Sequence, residues 1–123
     1  MTASVPEGLV VVTMPFPVST HEAFRKHNGS HLSERYRKWR DEAGWVLLSQ
    51  RPGKVVGPVK LLIELCKPDK RARDTDNFIK GPVDLLVSHL VIEGDDDSIV
   101  REVTARWVTN GEPCTVTIAR ASE

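Results

Sequence analysis

Asp74 and Asp76 stand two residues apart in the stretch RARDTDNFIK, and Lys80 follows four residues later. Carboxylates at i and i+2 can reach one point if the backbone between them is extended or opens a turn. Two anions held that close call for a cation. Hard oxygen ligands suit Mg²⁺, which keeps several waters and takes one or two protein carboxylates beside substrate phosphate oxygens. On a helix, Lys80 would share a side with Asp76, where its ammonium could orient an attacking water or offset the charge that develops during phosphodiester hydrolysis. The same spacing also suits a surface ion pair worth roughly 0.2 to 0.5 kcal/mol. Asp95, Asp96 and Asp97, in the later loop EGDDDS, are the candidates for a third acid, and spacing leaves the choice among them open.

The formal net charge is zero, yet residues 21–73 carry 13 Lys and Arg against 6 Asp and Glu, whereas residues 74–123 carry 4 against 10. A basic segment beside an acidic one is expected where one surface neutralises phosphates and an adjoining pocket holds cations. Two solvated faces would give the same counts. Arg25, Lys26, Arg37, Arg40, Lys70, Arg71 and Arg73 form the phosphate-binding candidates.

A chain of 123 residues fits one domain, taken as 1–123, with 40% hydrophobic and 28% charged residues. No apolar run approaches the roughly 18 residues of a membrane helix, so no membrane partner is expected. The start MTASVPEGLVVVTMPFP lacks the pattern of a secretory signal, which makes a cytoplasmic setting the expectation. Cys66 and Cys114 have no CxxC spacing and read as reduced, buried small hydrophobes rather than zinc ligands.

Around the aspartates, GLVVVTM (8–14) reads as a strand ended by PFP. Leu32, Tyr36, Trp39, Ala43, Val46 and Leu47 recur at helical spacing, so a helix is predicted from Ser33, its N-cap, to about Ser49. VKLLIELC (59–66) is a second strand. Residues 83–92 can bury Val83, Leu86, Val87 and Leu90 as a helical stripe, with Gly81 and Pro82 weakening any helix that runs through from Asp76. Ile99, Val103, Ala105 and Trp107 alternate up to Asn110-Gly111, which favours a tight turn into a last strand, and Pro113 suggests that this strand is an edge. The fold expected is α+β: one domain with a mixed four-stranded sheet in the order β-α-β-α-β-β, helices packed on it, and a C-terminal β-hairpin.

Among the other residues able to bind or stack, His21, His27 and His31 flank an irregular glycine-containing segment and read as solvated or phosphate-contacting, and His89 as structural. Trp39 and Trp107 fit core stripes. Phe78, expected to be exposed beside the charged stretch, is the aromatic kept as a DNA contact.

PDKRARDTDNFIK, then DLL, then DDDSIV resembles the RusA family of Holliday junction resolvases, with further likeness in MPFP and HLSERYRKWRD across roughly residues 9 to 119. The resemblance implies that Asp74, Asp76 and Asp97 are metal-binding catalytic carboxylates, that Asp96 is the neighbouring acid, and that Lys80 is the essential lysine. It also implies that Asn77 is the asparagine of the D-N pair. Thr20, His21 and Phe24 depart from the family's asparagine-rich, tyrosine-containing segment, Gly81-Pro82 replaces helix-forming residues, and Asp95 is an extra acid. The implied activity is a Mg²⁺-dependent endodeoxyribonuclease, with Mn²⁺ as a substitute metal, cutting paired strands of a four-way DNA junction as a homodimer. Strand one or the Pro113 edge is the candidate dimer contact. The alternative is a non-catalytic nucleic-acid-binding protein that retains the basic face.

Overall fold

The computed structural model describes residues 9–26 and 30–122, with the side chains of 24–26 and 30–32 outside that description. His27 therefore lies outside the described residues.

A strand β1 (Val10–Met14) leads into a short helix α1 (Thr20–Ala23) and a small antiparallel ladder of β2 (Phe24–Lys26) with β3 (Ser30–Leu32). Helix α2 (Glu34–Ser49) begins where the sequence predicts: the hydroxyl of Ser33 accepts the Tyr36 amide, satisfying one donor that the first turn cannot. Its apolar stripe is buried at Tyr36, Trp39, Ala43 and Leu47. After β4 (Val59–Leu65) come a single 3₁₀ turn (Thr75–Phe78), helix α3 (Lys80–Ser88), β5 (Val100–Trp107) and β6 (Cys114–Arg120).

These strands form the expected mixed four-stranded sheet, in the order β1-β6-β4-β5, with β4 and β5 parallel and the other neighbours antiparallel. β5 and β6 run in opposite senses as expected, but β4 lies between them, so the 108–113 connection crosses the end of β4 instead of closing a direct ladder. The Val108 amide donates to the Leu65 carbonyl and the Cys66 amide to the Pro113 carbonyl, which ties that crossing to β4. The edge assignment for the last strand does not hold: β6 is internal, because Pro113 stands before the ladder and withholds no donor from it. The edges are β1 and β5. Along one sheet face Val12, Met14, Val59, Leu61, Ile63, Leu65, Cys114, Val116 and Ile118 are buried, and the helices cover them.

Pro82 is accommodated in the first turn of α3, where a missing N–H breaks no intrahelical bond. At the other end the helix stops earlier than the predicted stripe. Leu90 sits in the left-handed region (φ 60°) and is 65% exposed instead of joining the core. Its amide donates to the Val87 carbonyl and that of Val91 to the Leu86 carbonyl, the paired bonds that close a helix C-terminus, usually around a glycine.

Candidate functional site

The loop leaving β4 is folded around Asp69. Its carboxylate accepts from both terminal guanidinium nitrogens of Arg73, Nη1 at 2.8 Å and Nη2 at 3.1 Å, and from the Arg71 amide at 2.9 Å. These donors, Arg73 first, hold the Asp69 carboxyl well below the usual carboxylate range, and the same pairing raises the pKa of Arg73. The Arg73 guanidinium also stacks 5.4 Å from the centroid of Phe16, leaving its side chain 12% exposed. Arg73 is thus a structural clip, already committed to one anion.

The clip delivers the chain to the 3₁₀ turn. Asp74 is its N-cap residue, with extended backbone (φ −81°, ψ 119°), and its carboxylate makes no capping hydrogen bond. The turn closes with the Asn77 amide on the Asp74 carbonyl at 3.1 Å. Phe78, predicted to be exposed, is buried at 5%, with its ring 5.3 Å from Phe16 and 5.9 Å from Trp107. A 3₁₀ turn aims one residue in three inward, and here the ring, the only large apolar group in TDNF, takes that place. From α1 the Thr20 hydroxyl donates to the Asn77 carbonyl, and from β5 the Trp107 Nε1–H donates to Thr75 Oγ1 at 2.8 Å.

Two clefts flank the turn. A groove of about 720 Å³ contains Asp74 and Asn77 together with Arg71, Arg35, Lys38 and His21. Glu22 and Glu42 also line it, and Glu22 pairs with Arg35 at 3.0 Å. The second cleft, about 320 Å³, is lined by Asp76, Lys80, Asp84 and Asp95 over an apolar floor that includes Val83 and Val100. Lys80 shares this cleft with Asp76, but its ion pair is with Asp84, at 3.4 Å and one helical turn on. The helical relation expected between Asp76 and Lys80 fails because the 3₁₀ turn ends at Phe78 and α3 starts afresh at Lys80.

Of the three loop acids, Asp95 is the one that reaches this cleft. Asp96 is turned to its own loop: its carboxylate accepts from the Ser98 amide and hydroxyl, which lowers its pKa, and its carbonyl accepts from the Ile99 and Val100 amides. The carbonyl of Asp97 accepts from Arg101 Nη1, and Asp97 lines neither cleft. Among the described residues no three His, Cys, Asp or Glu side chains gather closely enough to hold a metal ion. The expected convergence of Asp97 on Asp74 and Asp76 is therefore not what the fold produces. The loop does reach Asp76, but through Asp95: the Asp96 carboxylate is held by Ser98, and Asp97 lines neither cleft. The donor set still fits a hard cation of the kind that takes one or two carboxylates and fills its shell with water and phosphate. Asp74 and Asp76 are exposed, and Asp74 is left free by the turn it caps.

The phosphate-binding candidates divide. Arg71 is exposed and lines the groove, and Lys70 is exposed. Arg37 and Arg40 lie elsewhere, in a depression with Trp45 and His89. Arg25 and Lys26 lie in β2, outside the described side chains. Arg35 and Lys38, two bases of α2 outside that candidate set, face the groove. Their three-residue spacing beside the buried Trp39 was the available signal. No local pattern signals the Trp107–Thr75 bond.

With this geometry established, comparison with known proteins decides the family. The sequence model of the family Endodeoxyribonuclease RusA matches residues 15–119. The chain belongs to the RusA endodeoxyribonuclease family. It is 30% identical to the crossover junction endodeoxyribonuclease rusA of Enterobacteria phage 82 over 109 residues, covering 87% of this chain and 91% of that protein. The RusA proteins of Escherichia coli strain K12 and of Shigella sonnei are each 29% identical over the same span. RusA-family similarity thus reaches from the end of β1 to the last strand, and both clefts lie within it. No helix among the described residues is long and apolar enough to cross a membrane.

Proposed function

We propose that this RusA-family chain is a Mg²⁺-dependent endodeoxyribonuclease that resolves four-way DNA junctions, with Mn²⁺ serving in place of Mg²⁺. The observation that carries the reading is the exposed Asp74-x-Asp76 pair, set on a pinned turn between a base-lined groove and the cleft that holds Lys80. Arg71, Arg35 and Lys38 grip phosphates along the groove, an interaction driven by counterion release. Asp74 and Asp76 would hold the cation, which when bound supplies Lewis acidity and a more acidic water. Asp95, across the cleft from the pair's second member, adds negative charge that favours cation entry. Lys80 keeps an ammonium beside the scissile region, and its pairing with Asp84 restrains that long side chain. Because a junction presents two symmetric strands, a homodimer with two such sites is the assembly that completes resolution.

One observation favours the alternative of a binding protein without turnover: the described acids do not assemble into a three-carboxylate cage. The two readings separate in one experiment. The chain is incubated with a labelled four-way junction and Mg²⁺, with linear duplex as control, beside the Asp76→Asn variant. Junction-selective nicking that is lost in the variant while binding persists or tightens is the expected result, since an anion has been removed near phosphate. A wild-type chain that binds the junction and never cuts it with either metal sinks the nuclease reading.

A further inference from the structure

We infer that Trp107 and Thr75 form a positioning pair: the indole N–H of the edge strand, bonded to the residue between Asp74 and Asp76, sets the direction in which the two carboxylates point. The inference rests on the nuclease reading above and concerns residues that have no part in the chemistry itself.

A 3₁₀ turn of four residues has poor internal hydrogen-bond geometry and cannot fix its own orientation. Three outside contacts fix it here: Phe78 buried below, Thr20 on the Asn77 carbonyl, and Trp107 on Thr75. The first two hold the end of the turn, at Asn77 and Phe78. The third bonds the residue between the two aspartates, downstream of the Arg73–Asp69 clip. Thr75 is flanked on both sides by them, so rotation of its backbone swings Asp74 and Asp76 together.

The donor is itself rigidly placed. The Trp107 ring packs against Phe16 at 6.2 Å and edge-on to Phe78 at 5.9 Å, and the strand around it is registered with Leu65 at the end of β4. An indole N–H can only donate, and the bond is partly buried, so Thr75 Oγ1 is its acceptor and the hydroxyl keeps its own proton for another partner. The edge strand of the sheet thereby reports its position to the aspartate pair through one hydrogen bond. Outer residues that orient metal-holding carboxylates typically change metal affinity or turnover by about 10- to 100-fold when lost.

The test uses full-length Trp107→Phe, Thr75→Val, their double variant, and Thr75→Ser. Four quantities are measured: kcat and the Mn²⁺ half-saturation for junction cleavage, Mn²⁺ affinity by electron paramagnetic resonance on the protein–junction complex, junction affinity in EDTA, and the thermal midpoint. Each of the first two single variants should raise the Mn²⁺ half-saturation and dissociation constant about tenfold, leaving junction affinity in EDTA unchanged. The double variant should be no worse than either single one, because all three lack the same bond. Thr75→Ser, which keeps the acceptor, should restore wild-type values even if its thermal midpoint falls. Should Trp107→Phe fail to fold, the contrast between Thr75→Val and Thr75→Ser decides the matter. Wild-type cleavage together with unaltered Mn²⁺ affinity in Thr75→Val overturns the positioning pair and leaves the nuclease reading intact. A wild-type chain that never cleaves overturns that reading and the positioning pair with it.

Discussion

Replacing Phe78 by alanine tests whether the aspartate turn is held by packing. The ring is 5% exposed and sits between Phe16 and Trp107, at 5.3 Å and 5.9 Å. Truncating a buried phenylalanine costs about 3 to 5 kcal/mol, of which each lost aromatic pair accounts for about 0.5 to 1.5 kcal/mol. A domain of this size has a total stability of about 5 to 15 kcal/mol. With unfolding entropy of about 2.1 cal/mol/K per residue, the thermal midpoint should drop by roughly 10 to 20 °C.

The assay is urea unfolding followed by tryptophan fluorescence, with circular dichroism melts in parallel. Phe78→Leu keeps an apolar group without the ring pairs and should fall between alanine and wild type. A base-stacking ring would behave in the opposite way, with stability unchanged and junction binding weakened by about 1 to 3 kcal/mol. If Phe78→Ala stays within about 1 kcal/mol of wild type in urea, the reasoning that the turn is anchored through its core ring is refuted.

Three further outcomes are expected. Leu90→Gly should stabilise the fold by about 0.5 to 1 kcal/mol in urea, because glycine removes the left-handed strain at φ 60° without uncovering a buried side chain. The Asp69 carboxyl is held low by Arg73, so its contribution to stability is present above the ordinary carboxylate pKa and is lost as pH falls below about 4. Thermal midpoints of wild type and Asp69→Asn should therefore differ near neutrality and converge in acid, and a gap that stays constant with pH would contradict the clip. Burial pushes the Cys114 thiol up to about 12, so iodoacetamide at pH 8 should label the partly exposed Cys66 and spare Cys114 in the native protein, as read by mass spectrometry.

The helices and strands were legible in the sequence where a local pattern and the tertiary packing agree. Ser33 capping, the Tyr36–Trp39–Ala43–Leu47 stripe and the apolar β4 all appear where periodicity puts them. Neighbour relations were less legible. Asn110-Gly111 signals a reversal correctly, but which strand fills the gap across the sheet depends on β4 needing partners on both edges, and no local signal carries that. Leu90 continues an apolar stripe in sequence, yet the chain has already turned at His89. For the site, types and spacing singled out Asp74, Asp76 and Lys80 as candidates, and the fold sets Asp74 on the groove and Asp76 and Lys80 on the cleft beside one 3₁₀ turn. The third acid could not be chosen because bonds within the loop, Ser98 on the Asp96 carboxylate and Arg101 on the Asp97 carbonyl, decide which carboxylate faces the cleft, and spacing carries no sign of them. Phe78 is buried despite its charged flank, because a 3₁₀ turn buries its one large apolar residue.

The change in charge between residues 73 and 74 has a structural counterpart, and it predicts a division of labour. The Arg73–Asp69 clip ends the basic loop, and the next residue begins the turn that carries the acids. Arg71 lies on the groove side with its guanidinium exposed, and Lys80 lies on the cleft side. Each phosphate contact contributes close to one unit to the dependence of log affinity on log salt. Arg71→Ala should thus weaken junction binding and reduce that slope by about 1, while kcat at saturating junction is preserved. Lys80→Met should do the reverse, leaving the slope within error and lowering kcat, because its ammonium is placed to act on charge that appears during hydrolysis. Fluorescence anisotropy between 50 and 200 mM NaCl gives the slopes, and single-turnover cleavage gives the rates. If both substitutions change slope and rate together, groove and cleft form one undivided surface, and the clip at residue 73 does not separate gripping from cutting.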